Sequence, residues 1–60
     1  MSDSKARLSQ KLREYREMAA VSRKAAETAA TPGMKRSHEE LSRSWEQLIL
    51  EVESLLRGGL

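Results

Sequence analysis

The chain has no cysteine and no phenylalanine, one proline, three glycines, and a single tryptophan and tyrosine. Without cysteine there is no disulfide to staple a small core and no thiolate metal site, a usage that accords with a reducing, cytoplasmic setting. One proline and few glycines leave little interior punctuation, so the sequence can form only a few long elements. No uncharged run approaches the about 20 apolar residues of a membrane span, and membrane association is not expected. The stretch from Met1 to Arg16 alternates charge with single apolar residues and builds no apolar core of a signal peptide, so none is expected. With one histidine, no cysteine and no glycine-rich phosphate loop, the chain offers no nucleophile and base within reach of each other and no convergent metal ligands. No enzymatic activity, cofactor or metal is expected.

What is present is helix-forming material. A third of the residues are charged, and Ala, Leu, Glu, Arg, Lys and Ser dominate. Sixty residues make one small domain, spanning 1–60. Met34, His38, Leu41, Trp45, Leu48, Val52 and Leu55 follow one another at steps of four and three, the spacing of one stripe on an α-helix. A matching stripe precedes it: Leu8, Leu12, Tyr15, Ala19, Ser22, Ala26 and Ala29. Tyr15 and Trp45 fall on these stripes, which points to packing rather than to base stacking. So does His38, near the turn, where a neutral imidazole suits burial and a protonated one does not.

Between the stripes lies Ala30-Thr31-Pro32-Gly33. Proline disfavours helix in the residue before it and is welcome at the first position of a new helix, and threonine just ahead of it is a good N-cap. The expected fold is all-α, an antiparallel two-helix hairpin over about 4–30 and 32–57. Ser2, Asp3 and Ser4 are the candidate caps of the first helix, and Gly58-Gly59 closes the second through a left-handed conformation. Folding back near residue 31 places partners at numbers that add to about 63, so that Leu12 meets Val52, Tyr15 meets Leu48 and Ala19 meets Trp45; loop geometry leaves this register open to within half a heptad. Lys11 and Arg13 would then lie near Glu53 and Glu51.

Leu8, Leu12, Tyr15, Ala19, Met34, Leu41, Trp45, Leu48, Val52 and Leu55 form the expected hairpin seam. The apolar stripe of the second helix is wider than one partner helix can cover, and a chain of this size buries too little surface to stand comfortably alone. Met18, Val21, Ile49 and Leu56, which flank the seam, are the expected oligomer contacts. The expected product is a homo-oligomer, first a dimer forming a four-helix bundle, with an unidentified protein partner as the other way to cover the stripe. The function this implies is an interaction or assembly module.

Charge supports a second reading. Residues 1–30 carry seven basic and four acidic side chains, a net of +3, and residues 31–60 carry four basic and five acidic, a net of −1. Lys5, Arg7, Lys11, Arg13, Arg16, Arg23 and Lys24 are the candidate nucleic-acid-binding face, although Glu14, Glu17 and Glu27 are interspersed among them.

The run Leu12-Arg13-Glu14-Tyr15-Arg16, the Ala-rich stretch after it, the Thr-Pro turn, Met34-Lys35-Arg36, and Leu41 to Leu48 with Trp45-Glu46 together resemble a group of short, uncharacterised alphaproteobacterial proteins. The likeness covers roughly residues 8–50 and departs from the group's pattern at Ser42, where Ala is common, and in the aliphatic tail from Ile49 onward. It implies a helical hairpin without assigned activity, and it transfers no catalytic residue.

Overall fold

Pro32 decides the architecture. Its ring excludes helical backbone at Thr31, which takes φ −130° and ψ 154°, and from that extended position the Thr31 hydroxyl accepts a hydrogen bond from the Met34 amide at 3.1 Å. The Thr31 carbonyl accepts from the Lys35 amide at 3.0 Å, so the cap is satisfied through both side chain and backbone. A computed structural model describes residues 2–59 of the chain: α1 runs over Ser2–Glu27, α2 over Pro32–Ser54, and a wider π-type turn follows over Leu55–Gly59.

The interior of α1 contains neither Gly nor Pro, which permits its 26 residues to continue for about 39 Å at 1.5 Å per residue. It starts two residues earlier than expected. Ser2, Asp3 and Ser4 are therefore already helical, with Asp3 in the first turn where a carboxylate suits the helix dipole; the preceding residue lies outside the described ones. At its other end α1 stops three residues short of the expected boundary. The Thr28 hydroxyl donates to the Lys24 carbonyl at 3.2 Å, and the Ala29 amide tightens onto the Ala26 carbonyl at 3.4 Å. This shortened last turn turns the chain towards the extended Thr31.

The end of α2 corrects a second expectation. Gly58 leaves helical geometry at φ 170° and ψ 6°, an extended φ rather than the left-handed one expected of a helix-closing glycine. The Leu55 amide reaches both Glu51 and Val52 carbonyls, and the helix loosens into its π-type turn before the glycines. Leu60, expected to add to the apolar tail, lies outside the described residues.

The two helices lie side by side in a rod of 46 × 15 × 10 Å. Its radius of gyration is 13.9 Å, against about 10 Å for a compact domain of this length. The core is made of short side chains near the turn: Ala19, Ser22, Ala26 and Ser42 are buried, with Val52 farther along. Towards the open end Leu8, Leu12, Tyr15, Trp45, Ile49 and Leu56 are half-buried. Small residues where the helices join and larger ones farther out let the pair close without overfilling the space between them.

Candidate functional site

On α1 the covered stripe is the expected one, with Leu8, Leu12, Tyr15, Ala19, Ser22, Ala26 and Ala29 all buried or half-buried. On α2 it is turned. The covered line is His38, Ser42, Trp45, Ile49, Val52 and Leu56, with Glu53 half-buried beside it, again at steps of four and three but displaced to one side of the expected seam. Met34, Leu41, Leu48 and Leu55, expected on the seam, remain 37–49% exposed. Ile49 and Leu56, expected as outer contacts, are half-buried in the hairpin interface. Met18 and Val21 stand exposed.

The rotation has two physical causes. Near the turn the α1 surface is built from Ala19, Ser22 and Ala26, all buried, and a helix lined with such short groups accepts Ser42 where it would not accept Leu41. Farther along, the rotation brings carboxylates to cations. The Arg16 guanidinium donates to Glu53 at 2.8 Å, and that of Arg23 donates to Glu46 at 3.2 Å. The second pair lies seven residues on along α1 and seven residues back along α2, so one antiparallel register holds over both. Among the described residues these are the ion pairs, and neither Lys11 nor Arg13 takes the place expected for it beside Glu53 or Glu51.

Aromatic packing ties the same region together. The rings of Tyr15 and Trp45 approach to 5.6 Å between centroids with a 37° tilt, within the range in which aromatic pairs attract. Among the described residues the enclosed Trp45 Nε1 has no hydrogen-bond partner, and the indole packs through its apolar body.

These contacts divide the surface of the rod. Arg16 and Arg23 each come one residue after a covered position of α1, and Glu46 and Glu53 do the same on α2. Because they meet, the trailing sides of both helices share one broad face. The leading sides must then share the other. There α1 presents Met18 and Ala25, with Val21 beside them, and α2 presents Met34, Leu41, Leu48 and Leu55. One face carries the ion pairs, with Leu50 exposed beside them, and the other carries the remaining exposed large apolar side chains. Sequence reading found the apolar residues but assigned several of them to the interior.

The seven cations of the candidate nucleic-acid face are all exposed, but they do not converge. At 100° per residue they spread around α1: Lys5 extends the line of the covered stripe beyond Leu8, Arg7 and Lys11 stand on the apolar side, Arg13 and Lys24 on the back, and Arg16 and Arg23 beside the carboxylates that hold them. The groove on the ion-paired face near the turn is lined by Arg23, Lys35 and Arg43 together with Glu27, Glu39 and Glu46, so its charges balance. Among the described residues no group of three or more His, Asp or Glu side chains could hold a metal ion, and no described helix is long and apolar enough to cross a membrane.

Fold and surface together define an antiparallel helical hairpin with one ion-paired and one apolar broad face. Comparison with protein-family models, curated proteins and solved structures returns no match.

Proposed function

We propose that this chain is a non-enzymatic assembly module that associates with its own kind through the apolar broad face. The carrying observation is the segregation of the two faces. An evenly amphipathic hairpin would scatter its surplus apolar residues, but here six of the seven exposed large ones among the described residues, Met18, Val21, Met34, Leu41, Leu48 and Leu55, stand on one side, and Leu50 alone stands on the side of the ion pairs. Large apolar side chains gathered on a rod's surface are the usual mark of a contact site.

Size supports the same reading. The chain exposes 4827 Å², whereas a compact monomer of 6.8 kDa exposes about 3,950 Å². A face 46 Å long and 15 Å wide offers roughly 700 Å² in projection, close to the about 800 Å² per partner of a standard stable interface. Two hairpins joined through it make a four-helix bundle.

The test is solution mass by light scattering over a range of concentrations at moderate and at high salt. The expected result is a species of about 13.6 kDa, twice the chain's 6.8 kDa, that is insensitive to salt because the contact is apolar. A helical monomer at all concentrations overturns the proposal.

A further inference from the structure

Met34, Leu41, Leu48 and Leu55 stand seven residues apart along one exposed edge of α2 and the residue that caps it. A seven-residue column stays in line only along a partner helix that winds around it with left-handed supercoil. The midpoint of this column falls between Ser44 and Trp45. On α1 the exposed apolar pair of the same face is Met18 and Val21, whose midpoint falls between Ala19 and Ala20. These two midpoints lie at one level of the hairpin, because Tyr15 and Arg23, four residues to either side of Ala19, reach Trp45 and Glu46 respectively.

We propose that the occupant of the apolar face is a second copy turned end for end, with the two loops at opposite ends of the bundle; this rests on the assembly reading above. A twofold axis crossing the helices at that common level satisfies both midpoints at once. It sets Met34 against Leu55 of the second copy, Leu41 against Leu48, and Met18 against Val21. Ser44 then meets its own counterpart near the axis. Its hydroxyl already donates to the Glu40 carbonyl at 3.2 Å, so covering it leaves no donor unmet.

Apolar matching across the face selects this arrangement over the other symmetric one. In the inverted pair Glu51 comes opposite Ser37 of the second copy, and Glu14 comes opposite Ala25. With both loops at the same end, α1 would lie across α2 of the second copy, and the register that joins Arg16 to Glu53 and Tyr15 to Trp45 would bring Lys11 within a turn of Leu55 and carry Met34 past the end of α1, twice by symmetry. A cation set against an apolar side chain, and a Met34 left uncovered, disfavour that pairing.

The chain has no cysteine of its own, so single introduced cysteines report cleanly. Gly33 is exposed, and a side chain built there meets nothing within 4 Å, which suits Gly33→Cys to a spin label. Gly33 lies about 17 Å from the axis at 1.5 Å per residue, so the inverted pair places two labels roughly 35–40 Å apart by pulsed dipolar spectroscopy. In the same pair, Ser44→Cys oxidises to a disulfide-linked dimer. A dimer whose labels lie within about 20 Å, as neighbouring helix ends at 8–10 Å axial spacing require, and whose Ser44→Cys variant stays unlinked, overturns the orientation and leaves assembly standing. Absence of any dipolar coupling, with a monomer's mass, overturns both.

Discussion

If assembly runs through the apolar face, truncating Leu41 and Leu48 together must weaken it, and the structure sets the amount. Leu41 is 45% exposed and Leu48 37% in the single hairpin, and complete burial of a leucine is worth about 2–3 kcal/mol. Covering what the hairpin leaves exposed is thus worth about 1 kcal/mol per side chain. Leu41→Ala with Leu48→Ala alters four side chains per dimer, a loss of about 3 kcal/mol once the retained Cβ is discounted, on the order of a hundredfold in Kd. Sedimentation equilibrium measures that change, and far-UV circular dichroism verifies that the variant remains helical. The control is Leu50→Ala. Leu50 is 57% exposed, more than either, but it projects from the ion-paired side of the covered stripe, so its truncation should leave Kd within about threefold, under about 1 kcal/mol. If Leu50→Ala weakens assembly as much as the double variant, or if the helical double variant keeps the parental Kd, the face assignment is refuted.

Four further outcomes follow from local geometry, each read by chemical or thermal denaturation at fixed protein concentration. Thr31→Ala removes the acceptor of the Met34 amide and should destabilise the chain by about 1 kcal/mol, with Thr31→Ser retaining most of that. Gly33→Ala should stabilise it by roughly 0.4–1 kcal/mol, because the added methyl meets open space in the first turn of α2 and narrows the unfolded ensemble. Ser42→Leu forces a large group against the buried Ala19, Ser22 and Ala26 and should cost about 1–3 kcal/mol, whereas a surface reading of Ser42 would have it neutral. Arg16→Gln should cost less than about 1 kcal/mol, a difference that shrinks at high salt, because Arg16 is exposed and Glu53 only half-buried in the pair they form.

The start of α2 was legible in the sequence, because Thr31, Pro32 and the amides that follow leave the backbone one good arrangement. The covered stripe of α1 was legible too: outside it that helix offers few large apolar residues, so only one face can be buried. On α2 two neighbouring stripes share His38, Trp45 and Val52, and hydrophobicity alone favours the one carrying Leu41, Leu48 and Leu55. The structure takes the other because the contact near the turn demands small volume, which Ser42 has and Leu41 lacks. A signal for that choice was available. Arg16 and Arg23 repeat at seven residues, Glu46 and Glu53 repeat at seven, and the hairpin that lets both pairs meet is the rotated one. Reading Glu53 against Lys11 passed over that repeat. The ends were less legible, since the hydroxyl of Thr28 and the loosened backbone after Ser54 act within single turns where no long pattern constrains them.

The only tyrosine and the only tryptophan of the chain come from different helices and meet at 5.6 Å. At that separation the excited phenol hands its energy to the indole far faster than it emits, so the closed hairpin absorbs through Tyr15 and glows through Trp45. When the helices part, the transfer weakens and tyrosine emission returns. The molecule therefore carries its own optical gauge of closure, with no dye attached.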